Sequence, residues 1–138
     1  VNSSAPIIKE LAASGVKLNV TAVFTLEQTD EVINALHKDT PAVISIFAGR
    51  IANAAVDPMP LMRAAVAMAK RLPKAEVLWA SPREALNIIQ AEECGCHIIT
   101  ITSDIQSQIK NFGKDLTQYS LETVKMFYND ATSAGFSL

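Results

Sequence analysis

Two short segments, Ser45-Ile46-Phe47-Ala48-Gly49-Arg50 and Trp79-Ala80-Ser81-Pro82-Arg83, each run from an apolar β-type stretch into a small or polar residue and then an arginine. Parallel strands that end this way build phosphate sites. A guanidinium supplies a planar, permanently charged donor fork, and a serine hydroxyl beside a helix N-terminus adds a neutral donor, so one phosphate can be gripped from two adjacent loops. Taken singly, Arg50 and Arg83 also read as ordinary solvated loop arginines; the repetition of one pattern at two strand ends favours the anion site.

The elements that would position these groups alternate along the chain. Ser3 or Ser4 caps a first helix with Pro6 in its opening turn, and Gly15 stops it. Strands follow over 17–23, 42–47, 76–80 and 97–101, with helices over 26–37, 60–71 and 82–91 between them. A short helix over 104–110 and a terminal one over 120–133 complete the chain, the latter with Leu121, Val124, Phe127 and Tyr128 on one face. Regular βα alternation with Val/Ile-rich strands predicts an α/β fold built on a parallel sheet. Four strands cannot close a barrel by themselves. In a strand, residues two apart share a face, so Asn19 and Thr21 are expected on one side with Val20 and Ala22 turned toward the helices. The same parity puts Ser45 with Phe47, and Trp79 with Ser81, on that polar side near the strands' C-terminal ends, where α/β enzymes place chemistry. Asn19 and Thr21 also fit a hydrogen-bonded core pair that only fixes strand geometry.

The chain of 138 residues is one domain's worth, 49% hydrophobic and 19% charged, a balance that suits strands buried on both faces. A net charge of -2 without a lysine or arginine run leaves no footprint for nucleic acid or an anionic membrane. No basic-then-apolar leader opens the sequence and no apolar run reaches a membrane span, so a soluble, cytoplasmic protein is expected. Cys94 and Cys96, one glycine apart, are too close for an easy disulfide, and His97 alone joins them as a ligand candidate; two half-buried thiols in a reducing compartment fit better than a metal site, which needs about four ligands. Five glycines without a GxGxxG or GxxxxGK[ST] pattern argue against a nucleotide cradle on a flavodoxin-like sheet.

Asn19-Val20-Thr21-Ala22-Val23-Phe24, then Ser45-Ile46-Phe47-Ala48-Gly49-Arg50-Ile51, then Ala80-Ser81-Pro82-Arg83, in this order and spacing, resemble the second half of the transaldolase family, the (β/α)8 Schiff-base aldolases that include fructose-6-phosphate aldolases. The resemblance implies that residues 1–138 are a partial barrel, from the helix after the fourth strand through the eighth strand and the C-terminal helices, without a second domain. It implies a threonine, Thr21, that positions the catalytic water and an asparagine, Asn19, that hydrogen-bonds a bound dihydroxyacetone unit. Ser45 would contact the same unit, and Arg50, Ser81 and Arg83 would anchor the sugar phosphate. Phe47 stands where the aldolase branch usually has tyrosine, which leans the resemblance to transaldolase. No metal or organic cofactor is implied.

The family's lysine on the fourth strand and its acidic partners on the first and third would all precede the helix with which this sequence opens. No other lysine is placed to substitute. Lys17 opens its strand, at the far end from Thr21 and Ser45, and Lys9, Lys38, Lys70, Lys74, Lys110, Lys114 and Lys125 fall on helices or loops. Glu76 and Asp57 lie off the polar strand faces, and Asp104 reads as a helix cap. The expected function is therefore half of a transaldolase-like enzyme that moves a dihydroxyacetone unit between sugar phosphates, this chain being inactive alone; a non-catalytic phosphosugar-binding or structural half-barrel is the alternative. An open sheet would expose Phe47, Trp79, Val43 and Val77 and leave two edges, so the expected partners, besides sugar phosphates, are a complementary N-terminal half-barrel or a second copy of the chain.

Overall fold

A computed structural model describes residues 4–136; Ser3, one of the two candidate caps of the first helix, lies outside them. The chain divides into two compact units, the first running to Gln106 and the second beginning at Ser107.

The first unit is a four-stranded parallel sheet in the order β1 (Leu18–Val23), β2 (Ala42–Ile46), β3 (Ala75–Trp79) and β4 (Ile98–Ile99). Helices α1 (Ala5–Ala13), α2 (Leu26–Ala35), α3 (Ala48–Asn53), α4 (Pro58–Ala69) and α5 (Leu86–Glu93) alternate with the strands. A six-residue helix α6 (Ser103–Gln108) follows β4 and spans the boundary between the units. Thus the α/β architecture with parallel βα repeats stands. The second unit holds a 3-10 turn (Ile109–Asn111) and α7 (Leu116–Ser133), which starts four residues before its expected onset because Asp115 caps it, accepting a hydrogen bond from the Gln118 amide at 2.8 Å. Within this unit Lys114 pairs with Glu122 and holds that carboxyl below the ordinary glutamate range. No helix among the described residues is long and apolar enough to cross a membrane.

The core lies between one sheet face and the helices. Ile44, Ile46, Val77 and Trp79 are fully buried there with Val23, Val32, Met62 and Ala65. Trp79 pairs with Ile46 in register, and Leu78 pairs with Ser45. This reverses the expected parity of β3: Trp79 faces the helices, and Leu78 shares Ser45's side. Ser81 misled the assignment, since it lies beyond the strand's end at φ 60°, where alternation no longer holds. Trp79 and Val77 are consequently core residues and not part of an open face; its indole N–H, buried among apolar neighbours, finds no acceptor among the described residues.

A second departure lies in β1. Val20 pairs with Ile44 but Val23 with Ile46, so Thr21 and Ala22 together oppose Ser45 in a β-bulge, with Ala22 at φ 62°. The bulge turns Ala22 outward and gives its core place to Val23, which is fully buried.

Candidate functional site

Asn19 and Ser45 share the sheet face that the helices leave uncovered, in agreement with the parity expectation, but only Ser45 lies near its strand's C-terminal end: Asn19 is the second residue of β1, because the strand runs on to Val23. Asn19 pairs with Val43 in register, and the Ser45 hydroxyl donates to Asn19 Oδ1 at 2.6 Å. Ser45 is 3% exposed while Asn19 is exposed, so the serine acts as a buried brace beneath a solvent-facing carboxamide. With Oδ1 engaged by Ser45, the amide keeps the two Nδ2 hydrogens as donors. Thr21 is exposed beside this pair on the bulge, which sets its direction independently of the strand alternation. Asn19 and Thr21 are therefore not a buried core pair.

A layer of aromatic and cationic groups follows. Thr25 and Gln28 form a capping box at the start of α2: Thr25 Oγ1 accepts from the Gln28 amide at 3.1 Å and Gln28 Oε1 from the Thr25 amide at 3.3 Å, and the same Oε1 also accepts from the Phe24 amide at 2.8 Å. This fixes Phe24, whose ring lies 5.7 Å from that of Phe47. Phe47 leaves β2 by donating its amide to the Val23 carbonyl at 3.0 Å and then enters α3, so it is not a strand residue. The Arg50 guanidinium stacks over the Phe47 ring, 5.3 Å from its centroid.

Gly49 brings together the two segments that carry the arginines. Its amide donates to the Ala80 carbonyl at 3.3 Å, and a Cβ there would meet the Ser81 carbonyl oxygen at 1.4 Å; only glycine lets the start of α3 lie against the loop after β3. From that loop Arg83 Nε donates to the Gly49 carbonyl at 3.4 Å, which brings its side chain to the residue immediately before Arg50. The Arg50 amide is bonded to the Phe47 carbonyl at 2.9 Å, so these backbone donors are consumed, while Arg50 and Arg83 are both exposed. Ser81 sits half-buried in the same loop at left-handed φ, a conformation that costs a non-glycine residue roughly 1 kcal/mol or more and is concentrated at functional sites.

Three contributors escaped sequence reasoning. The helix α3, six residues long, was hidden because Gly49 and Arg50 read as loop; Phe24 lacked any polar signal; and Asn87 was absorbed into a helix drawn from Pro82, whereas α5 begins at Leu86. The caps differ in detail: Ser4 stands at the N-cap of α1 but makes no side-chain cap hydrogen bond, and Thr102 Oγ1 accepts from the Ile105 amide at 3.4 Å while Asp104 lies inside α6.

The remaining titratable groups lie elsewhere. Lys17 precedes β1, Lys38 and Lys74 precede β2 and β3, Lys9 belongs to α1 and Lys70 caps the C-terminal end of α4; all five are exposed. Cys94 packs its thiol 3.5 Å from the Met59 sulfur, and His97 Nδ1 accepts from the Val77 amide at 3.0 Å, which commits that ring nitrogen to the sheet. Burial pushes the Cys96 thiol up to about 12 and raises Cys94 as well. Among the described residues no group of three side chains suits a metal ion.

The pattern recurs in known proteins. "Probable transaldolase" of Herpetosiphon aurantiacus is 31% identical over 117 residues, 84% of this chain and 50% of the relative. That of Bdellovibrio bacteriovorus is 30% identical over 130 residues, 92% and 55%, and that of Nitrosopumilus maritimus 29% over 116 residues, 83% and 50%. The chain spans about half the length of these curated relatives. The profile of the transaldolase/fructose-6-phosphate aldolase family matches residues 1–138, and the chain belongs to that family.

Proposed function

We propose that this chain supplies the phosphate anchor and one side of the sugar site of a transaldolase-type enzyme, which moves a dihydroxyacetone unit between sugar phosphates through a lysine imine. Arg50 and Arg83 take the phosphate together with Ser81. Asn19 presents its amide to the hydroxyl groups of the dihydroxyacetone unit, Ser45 holds that amide in place and contacts the same unit, and Thr21 orders the water that enters and leaves as the imine forms and is hydrolysed. Phe47 forms the wall between the sugar and the Arg50 guanidinium. The imine needs a neutral amine, and an exposed ammonium is protonated and a poor nucleophile at neutral pH. The lysine is accordingly supplied from outside residues 1–138, and these residues alone form no imine. No cofactor takes part.

The convergence of Arg83 on Gly49, next to Arg50, carries this reading. The edges of the sheet support its second half: β1 and β4 each have one strand neighbour, so the outer backbone groups of Leu18–Val23 suit a complementary N-terminal half-barrel or a second copy of the chain. Calorimetry with fructose 6-phosphate and with fructose tests the anchor. Loss of one charge-assisted bond costs about 1.5–3 kcal/mol, so Arg50→Ala and Arg83→Ala each weaken fructose 6-phosphate binding about tenfold or more and leave fructose unaffected. Unchanged affinity in both variants refutes the anchor.

A further inference from the structure

We infer that Asn87 is a positioning residue for the Arg83 anchor, an inference that rests on the phosphate reading above. Arg83 lies in the loop between β3 and α5, where left-handed Ser81 and then Pro82, which has no N–H, prevent regular hydrogen bonding. The next two amides meet one acceptor: Asn87 Oδ1 takes the Arg83 N–H at 2.7 Å and the Glu84 N–H at 3.1 Å. From its other end the carboxamide donates Nδ2 to Gln90 Oε1 at 2.8 Å. Asn87 is 8% exposed, and with two donors on its oxygen and an acceptor on its nitrogen the amide has one satisfied orientation.

The Arg83 side chain has a much looser hold of its own. Its tether is the 3.4 Å contact from Nε to the Gly49 carbonyl, near the outer limit of a hydrogen bond. The place from which the guanidinium departs is therefore set by the main chain at Arg83, and the main chain is held by Asn87. Asn87 lies in the first turn of α5 but caps backward onto residues that precede the helix, so the rigid helix registers the anchor. Gln28 makes the same reach to the amides four and three residues before it at the start of α2; at α5 the residue held by that helix-start contact is Arg83.

A double-mutant cycle on the full chain, read by calorimetric titration of fructose 6-phosphate, tests this. Asn87→Leu keeps the volume but leaves two amides without an acceptor, and weakens binding about tenfold. In the Arg83→Ala background the same change alters affinity less than about twofold, because Asn87 acts through Arg83. Asn87→Asp keeps both acceptor contacts, so the Arg83 and Glu84 amides stay protected in hydrogen exchange and affinity stays within about threefold of the parent. Equal losses from Asn87→Leu in both backgrounds, or parental affinity in Asn87→Leu, overturn the positioning role while leaving the anchor intact. Unchanged affinity in Arg83→Ala overturns the anchor, and this inference with it. Where Asn87→Leu does not fold, Asn87→Gln, which moves the acceptor by one methylene, carries the same cycle with the same outcomes.

Discussion

Gly49→Ala probes how the two anchor loops are joined. The added Cβ would stand 1.4 Å from the Ser81 carbonyl oxygen, 2.6 Å from its carbonyl carbon and 3.3 Å from Arg83 Cγ. An ordinary carbon–oxygen contact is about 3.3 Å or longer, so α3 and the loop must part by roughly 2 Å. The obstacle is backbone, which no rotamer change relieves. The amide bond from Gly49 to Ala80, now 3.3 Å, is lost at a cost of about 1 kcal/mol, and forced overpacking adds about 1–3 kcal/mol, giving about 2–4 kcal/mol in total. Trp79, the one tryptophan and fully buried, reports urea unfolding by fluorescence. With a slope of about 2 kcal/mol per molar urea the midpoint falls by about 1–2 M. Gly15→Ala is the comparison: Gly15 has φ 82° and nothing within 4 Å of an added Cβ, so it costs only the left-handed backbone, about 1–2 kcal/mol. A Gly49→Ala variant no less stable than Gly15→Ala would refute the close approach of the two loops.

Two further outcomes follow from the placement of the nucleophiles. A thiol raised to about 12 is almost wholly protonated at pH 8, so iodoacetamide should label Cys96 roughly a thousandfold more slowly than free glutathione, and its rate should climb with pH through 10 without levelling; a plateau near pH 9 contradicts the burial argument. Borohydride reduction of the chain with fructose 6-phosphate should leave its mass unchanged, whereas a stoichiometric sugar adduct on a single lysine would identify a nucleophile within these residues.

The sheet was legible because its strands are Val/Ile-rich runs with βα spacing, and the facing of Asn19 and Ser45 followed from alternation on strands that remain regular between them. Alternation failed where the backbone leaves the pleat. Ala22 and Ser81 adopt left-handed conformations that neither residue type announces, so the bulge at Thr21 and the turn after Trp79 had no sequence signature. The polarity of Ser81 then drew Trp79 to the wrong face. Arginines 50 and 83 stood out by type and spacing, but the contacts that bring them together belong to Gly49, which acts by having no side chain, and to Asn87, which acts on backbone amides four and three residues before it. The first is a tertiary contact and the second a local one at a helix start, and neither is encoded in composition or periodicity.

The most direct test is an amide chemical-shift titration of the isotope-labelled chain with fructose 6-phosphate. The perturbed amides should be those of Asn19 to Ala22, Ser45, Gly49 to Ile51, Ser81, Arg83 and Glu84, with those around Cys94 and His97 unmoved. Shifts confined to the Cys94–His97 region, or an unchanged spectrum at saturating sugar phosphate, would contradict a phosphosugar site at the C-terminal ends of these strands.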